Sequence, residues 1–173
     1  RVLFRSFSSL NGDVAAVGVL QEAMLEPLCQ YVRQTDCSGA FIMLGASLSS
    51  DPAVDSHAGL YVQRSNAEHT TSELLLYRGM ADIGRRHKVM PHRKWAQEFD
   101  LSSFPGFAEH LEKASAPIER SCRTTEFITL PGTTEQAILL TVPMIGADGT
   151  VYGLCGFSVN QTYFLAHHAQ PTG

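Results

Sequence analysis

The segment from Glu135 to Phe164 restricts the fold of this chain more than any other segment. An apolar run from Ala137 to Ile145 meets a turn at Ala147-Asp148-Gly149, and a second apolar run extends from Val151 to Val159. Asp-Gly supplies the positive φ that a tight turn needs, and the flanking β-branched and aromatic residues suit a half-buried pleated surface. The pattern predicts an antiparallel hairpin, followed by a helix from Asn160.

Two glycines, Gly153 and Gly156, interrupt the second strand of this hairpin. A glycine inside a strand usually marks a bulge or a place where another backbone or a ligand comes close. The hairpin is therefore expected to form one wall of a pocket.

The length of 173 residues predicts one domain, with an N-terminal helix region (1–38), a sheet with inserted helices (39–159) and a C-terminal helix with a tail (160–173). A net charge of −4 gives no general attraction to nucleic acid. No apolar stretch approaches the roughly 20 residues that cross a bilayer. Because the chain begins at Arg1 rather than Met, it is expected to be a fragment of a longer protein.

A long amphipathic helix is predicted from Asn11 to Gln34. Asn11 can cap this helix, Asp13 favours its first turn, and Pro27 is expected to kink or break it. The residues with the spacing of one helical face are Val17, Leu20, Met24, Leu28 and Tyr31.

Short apolar runs predict the strands that precede the hairpin. They are Gly39 to Leu44, Gly59 to Arg64, Glu73 to Met80 and Arg123 to Leu130. The run from Glu73 to Met80 fits a helix or a strand by periodicity, and is interpreted as a short strand. In the run from Gly59, Leu60 and Val62 are expected on one face and Tyr61 on the other.

The middle of the chain predicts short helices and a basic loop. Arg85 to Lys94 carries five Lys or Arg residues around Pro91, which indicates a patch that binds an anion or nucleic acid or, more commonly, a solvated loop. Trp95 to Phe99 and Phe104 to Ala114 are interpreted as short helices. Strands without regular helical crossovers indicate an α+β fold, with helices packed on an antiparallel sheet of about five strands.

Catalytic motifs are missing from the sequence. The segment Gly45-Ala46-Ser47-Leu48-Ser49 comes near the G-x-S-x-G elbow of hydrolases, but its last position is Ser. His87 and His92 are five residues apart, which does not place them on one helical face as metal ligands. The sequence therefore predicts no enzyme activity, no metal and no cofactor.

The four cysteines Cys29, Cys37, Cys122 and Cys155 lack the C-x-x-C spacing of zinc or redox sites. Free and mostly buried thiols are the favoured interpretation, although four cysteines also permit three disulfide connectivities. Cysteine usage leaves the redox compartment open.

Arg78 directly follows the apolar run Leu74 to Tyr77, where a guanidinium is costly unless it meets a carboxylate. That carboxylate could belong to a ligand, or to an internal partner such as Asp82 or Glu73; simple exposure is a further alternative. Aromatic residues near the predicted sheet would supply the apolar walls of a pocket, with core packing as their alternative role. The predicted ligand-binding residues are Arg78, Tyr77, Trp95, Tyr61, Phe127 and Phe157.

A family resemblance rests on three segments that occur in order along the chain. They are SGAFIML after the long helix, GLYVQRS, and the closing VPMIGADGTVYGLCGFSVNQTYF. The chain resembles the PAS-like extracellular sensor domains of the Cache superfamily, which sit between transmembrane helices in bacterial receptors and membrane-bound regulators. The resemblance implies one ligand pocket on one face of the sheet, signalling through the terminal helices, and no catalysis. It does not assign a family ligand motif residue by residue to this chain.

The expected function is therefore that of a sensor domain at the extracellular face of a bacterial cell membrane, in a signal-transduction or transcription-regulatory protein. The expected partners are a small ligand, such as a carboxylate or an amino-acid-like molecule, flanking transmembrane segments, and a second copy in a homodimer, but no nucleic acid. A cytoplasmic GAF-like regulatory domain is the first alternative. A cysteine-dependent enzyme, in which Cys155 or Cys122 meets a histidine, is the second.

Overall fold

The structure, a computed structural model, describes residues 10–51, 53–66, 69 and 72–167. The start of the N-terminal region (1–9) and the end of the C-terminal tail (168–173) lie outside the described residues. The described helices are α1 (Val14–Gln34), α2 (Ala81–Arg86), α3 (Phe107–Lys113) and α4 (Gln161–His167). The described strands are β1 (Gly39–Leu44), β2 (Ser56–His57), β3 (Gly59–Arg64), β4 (Leu74–Arg78), β5 (Pro91–Ala96), β6 (Phe99–Asp100), β7 (Arg123–Thr124), β8 (Ile128–Thr129), β9 (Gln136–Ile145) and β10 (Val151–Asn160).

Helix α1 begins at Val14 because Asp13 caps it, with its Oδ1 accepting a hydrogen bond from the backbone N–H of Ala16 at 2.9 Å. The prediction that Asn11 is the cap was wrong. Its side chain instead accepts from the backbone N–H of Ser47 at 3.0 Å and ties the start of the helix to a loop. The helix continues through Pro27 as one element.

The fold is α+β, as predicted, but its main sheet has eight strands rather than about five. The strand order is β5-β4-β3-β1-β10-β9-β7, with β8 also pairing with β9, and among the described strands only β4 and β5 run parallel. Strand β5 was missed because its Pro91 and basic residues are typical of a loop, although an edge strand tolerates both. The predicted strand Arg123 to Leu130 is two short pieces, β7 and β8, that both pair with β9.

The sheet separates two apolar cores, since residues alternate between its faces. The helix-side core lies between α1 and the sheet and includes Val17, Leu25, Val32, Ala40, Leu60, Val62 and Leu76. The opposite core covers the other face and includes Phe41, Met43, Tyr61, Tyr77, Phe99, Phe104, Phe107, Leu139 and Leu154. Strand β3 is buried along its whole length because both of its faces are covered.

The closing hairpin is confirmed. Gly149 has φ of +81° at the turn, and its N–H donates to the carbonyl of Gly146 at 2.9 Å. The strand register shifts between Val151 and Gly153, as expected for a bulge. A Cβ added at Gly156 would lie only 1.8 Å from the carbonyl oxygen of Leu140, so close backbone approach requires this glycine.

The predicted helix from Trp95 to Phe99 was wrong. Trp95 belongs to β5. Phe99 belongs to β6, which pairs with β2 in a separate two-stranded sheet, where Phe99 lies opposite His57. Burial of the Phe99 ring in the opposite core holds this segment extended. The next predicted helix exists as α3, which begins at Phe107 after Gly106 with φ of +84°.

None of the helices in the described part of the chain has the length and apolar character needed to cross a membrane.

Candidate functional site

Strands β3 and β4 bring three of the predicted residues together. Tyr61 is the Cα partner of Arg78, whereas Val62 pairs with Leu76, so Tyr77 is an extra residue in a bulge. The bulge lets both Tyr77 and Arg78 direct their side chains into the opposite core. The rings of Tyr61 and Tyr77 meet edge to face, with their centroids 5.3 Å apart.

The Arg78 guanidinium is enclosed by aromatic rings and backbone. Its central carbon lies 4.3 Å from the centroid of the Tyr77 ring and 5.7 Å from that of Phe104. One terminal nitrogen, Nη1, donates to the carbonyl of Tyr77 at 2.8 Å and approaches that of Lys94 at 3.4 Å. Only 5% of Arg78 is exposed, so the charge is held inside the domain.

No carboxylate in the described part of the chain forms an ion pair with Arg78. Of its two suggested partners, Asp82 pairs with Arg86 at 3.0 Å, and Glu73 forms no ion pair with it. The Nε of Arg78 is buried without a hydrogen-bond partner. Burial lowers the pKa of Arg78, and the negative charge of Asp100 opposes that shift only weakly. The two carboxylate oxygens of Asp100 accept hydrogen bonds from Ser102 and Ser103. The guanidinium is therefore a buried cation without a bound counter-charge.

Two more donors on this face lack an acceptor. Gln63 lies two residues beyond Tyr61 in β3, on the same face, and its side-chain Nε2 is buried without a partner. Ser158 and Gln63 lie beside the Tyr61 hydroxyl, yet none of its contacts has hydrogen-bond geometry. Burial raises the pKa of Tyr61, so its hydroxyl stays protonated and able to donate. Three donors without a hydrogen-bond partner, on Tyr61, Gln63 and Arg78, are thus buried on this face of the β3–β4 pair.

Strand β5 and the 130–135 turn cover this cluster. The Tyr77 hydroxyl donates to the carbonyl of Pro131, and a Cβ added at Gly132 would lie 3.5 Å from Lys94. A void of about 20 Å³, one water molecule in size, remains beside Tyr77. Its lining includes Gln63, Arg64, Tyr77, His92 and Glu135. The site is closed, and a ligand would have to displace the cover formed by β5 and the turn.

The other three predicted residues lie elsewhere. Trp95 packs against the helix-side core, and its indole N–H donates to the carbonyl of Gly79 at 2.8 Å. Phe157 also lies on the helix side, 6.4 Å from Tyr31 between ring centroids. Phe127 is 43% exposed and lines a separate cavity at the far edge of the sheet. The structure therefore brings Tyr61, Tyr77 and Arg78 together and separates them from these three.

An apolar groove of about 510 Å³ runs along the helix side, where α1 leaves β9 and β10 uncovered. The residues that line it include Met24, Leu28, Tyr31, Ile42, Val142, Cys155 and Phe157. The sequence placed these residues on the α1 face, in the strand Gly39 to Leu44 and in the hairpin, but periodicity does not show which strands a helix covers.

The cysteines give no support to nucleophilic catalysis. Cys155 is half-buried in this groove, and burial raises the pKa of its thiol. Cys122 is exposed, and its Sγ donates to the carbonyl of Ile118 at 3.4 Å. Neither thiol is hydrogen-bonded to a histidine in the described residues. Within the same residues, no cluster of His, Cys, Asp or Glu could hold a metal ion.

Gln63 and Phe104 were missed as members of the Arg78 cluster. The sequence carried a signal for Gln63, since a polar amide within the apolar run Gly59–Arg64 raises the same question of partners as Arg78 does. Phe104 carries no such signal, because its contact with Arg78 depends on the path of the chain after β6.

Comparisons with protein-family models, with curated proteins and with solved structures returned no match to this chain.

Proposed function

We propose that this chain is a ligand-binding sensor domain that holds the carboxylate of a small molecule at Arg78. The observation that carries the proposal is the buried Arg78 guanidinium, whose Nε has no partner and which meets no carboxylate in the described chain. A buried charge of this kind is costly unless an anion accompanies it. A ligand carboxylate would supply that anion.

The surrounding groups fit such a ligand. A carboxylate accepts several hydrogen bonds at once, and the orphaned donors of Tyr61, Gln63 and Arg78 lie on one face of the β3–β4 pair. The rings of Tyr61, Tyr77 and Phe104 would pack against the apolar part of the molecule.

An amino-acid-like ligand would have a second anchor. Glu135 lines the void beside Tyr77, and its Oε2 already accepts from the Asn160 side chain at 2.9 Å. Its carboxylate could also accept from a ligand ammonium group. A simple carboxylate would use Arg78 without this contact.

Ligand entry would change the packing of the cover. Arg78 contacts the carbonyl of Lys94 in β5, and Tyr77 bonds to the 130–135 turn, so a ligand between them would favour an arrangement in which these two elements are displaced. The ligand would shift the population between the closed and displaced arrangements. In this proposal the terminal helices α1 and α4 transmit the shift.

In this proposal the sensor lies at the extracellular face of a bacterial membrane, within a signal-transduction or transcription-regulatory protein, as the resemblance to PAS-like Cache domains implies. A cytoplasmic GAF-like domain with the same ligand chemistry is the alternative setting. The Arg78 cluster would serve either setting.

Thermal-shift screening of organic acids and amino acids tests the proposal. A binding carboxylate should raise the melting temperature progressively with concentration by mass action. Arg78→Lys should lose most of this gain because an ammonium cannot reproduce the two parallel hydrogen bonds of a guanidinium. Arg93→Lys, an exposed change in the neighbouring strand β5, is the matched control and should respond as the parent does. Equal stabilisation of parent and Arg78→Lys, or no stabilising acid in the panel, would contradict the proposal.

A further inference from the structure

A second cavity, separate from the Arg78 cluster, lies at the far edge of the sheet, between α3 and the β7–β8 segment. It has a volume of about 430 Å³, within the range of small-molecule sites. Its lining is mixed, with apolar rings, hydroxyls, one guanidinium and the exposed carboxylate of Glu126. The residues that the following argument uses are Phe107, His110, Arg123, Phe127, Ile128 and Thr141.

His110 forms the floor of this cavity and is 98% buried, since its exposed fraction is 2%. Its Nε2 contacts the carbonyl of Ser121, which can only accept, so Nε2 carries a proton. Its Nδ1 lies 2.8 Å from the hydroxyl of Thr141 in β9. The two contacts hold the ring between α3 and the sheet.

Arg123 supplies positive charge at the wall. It is the Cα partner of Thr141 across β7 and β9, so it projects on the same side of the sheet as His110. Its one ion pair in the described residues is with Glu109 at 3.9 Å, too long for a hydrogen bond. Glu109 already bonds to Lys113 at 2.9 Å. The Arg123 guanidinium therefore retains its capacity for a bidentate carboxylate.

The opposite walls are apolar. Phe127 keeps 43% of its surface exposed beside the cavity, while Phe107 is buried behind it and Ile128 is half-buried. An exposed aromatic ring next to an available guanidinium suits a molecule with a flat apolar body and one negative group.

We propose that this cavity is a second binding site, for a small aromatic monocarboxylate. Arg123 holds the carboxylate, Phe127 and Ile128 contact the ring, and the His110–Thr141 pair forms the polar floor. The site shares no residue with the Arg78 cluster, so this proposal does not depend on the function proposed there.

Titration of the isotopically labelled protein with benzoate tests this site. The imidazole resonances of His110 and the methyl resonance of Thr141 should shift and saturate. In Arg123→Gln the affinity should fall about tenfold or more, since the charge-assisted pair is lost. Arg120→Gln, the same change on an exposed residue of the neighbouring 3-10 turn, is the matched control and should bind as the parent does. Phe127→Ala should also weaken binding, and benzamide, the neutral analogue of benzoate, should not saturate.

Three results would overturn the proposal. They are the absence of a saturable shift at His110 and Thr141, equal affinity in Arg123→Gln and the parent, and equal binding of benzamide. The first of these results, combined with benzoate-induced shifts at Tyr61, Gln63 and Arg78, would leave the Arg78 site intact. Because Arg123 is partly exposed, its replacement should leave the fold unchanged, which the amide spectrum of the free variant would report.

Discussion

The guanidinium carbon of Arg78 lies 4.3 Å from the centroid of the Tyr77 ring, although the two residues are consecutive in one strand. Neighbours in a regular strand direct their side chains to opposite faces. The bulge opposite Tyr61 removes that alternation and places the cation and the ring on one side. A backbone irregularity thus creates the cluster on which the functional proposal rests.

The two glycines of the closing hairpin should differ in their tolerance to alanine. At Gly149 an added Cβ meets nothing within 4 Å, so Gly149→Ala should lower the free energy of unfolding only through its positive φ, by about 1 kcal/mol. At Gly156 the Cβ would meet the Leu140 carbonyl oxygen at 1.8 Å. Gly156→Ala should therefore lower the free energy of unfolding by about 3 kcal/mol or more. Urea unfolding measures both values. The reverse order of the two effects would contradict the register of β9 and β10.

Arg64 of β3 should be required for the junction between α1 and the sheet. Its guanidinium donates to the carbonyl of Val32 in the last turn of α1 and to those of Thr35 and Cys37 just after the helix. It also lies 5.9 Å from the Tyr163 ring of α4. Arg64→Met should lower the free energy of unfolding by roughly 3 kcal/mol because buried carbonyls lose charged donors. Hydrogen exchange should accelerate at the C-terminal turn of α1. A loss under about 0.5 kcal/mol would show that these bonds contribute little.

His110 should make stability fall in mild acid. Burial lowers its pKa, and Arg123 nearby adds to the effect, so the folded state holds the ring neutral while the unfolded chain takes up a proton. The free energy of unfolding should therefore decline as the pH falls through about 6.5, with a slope of at most about 1.4 kcal/mol per pH unit from this residue.

The variant His110→Gln should flatten that decline, since an amide can bond to Ser121 and Thr141 without titrating. His92, whose pKa burial also lowers, should account for part of the remaining slope. His69→Gln, at an exposed position, is the control and should follow the parent curve. An unchanged slope in His110→Gln would contradict the assignment.

Thiol reactivity should separate the sensor from a cysteine-dependent enzyme. A disulfide reagent should modify the exposed Cys122 readily in the folded protein. Cys29, with a pKa raised to about 11 by burial, and the buried Cys37 should react only on unfolding. Cys122→Ser should remove the fast phase. Rapid alkylation of Cys155 near neutral pH would instead favour the enzyme alternative.

Local patterns predicted the strands and the hairpin well. Gly39–Leu44 and Gly59–Arg64 have the predicted bounds, and Asp148-Gly149 forms the predicted turn. These segments combine strong apolar runs with turn residues of fixed backbone preference, and both are local properties. The segment from Pro91 to Phe99 was mispredicted because its structure depends on pairing with β4 and on burial of Phe99, which its own residues do not specify.

The site was predictable only in part. Arg78 was identified because a charge after an apolar run needs a partner, and Tyr61 and Tyr77 were identified as aromatic neighbours. The placement of Trp95, Phe127 and Phe157 on other surfaces follows from strand order and from the face that each presents, which a linear sequence does not determine. Tertiary packing decides which aromatic residues share a site.

The most direct test of the Arg78 site is the resonance of its side-chain Nε–H in isotopically labelled protein. In the free domain this proton has no acceptor. Saturation with a carboxylate retained from the thermal screen should move the Arg78 Nε–H resonance strongly downfield, because a charge-assisted hydrogen bond forms. The Nε–H resonance of exposed Arg93 should stay in place. An unchanged Arg78 resonance at saturation, with stabilisation by the same ligand intact, would contradict the claim that Arg78 binds the ligand.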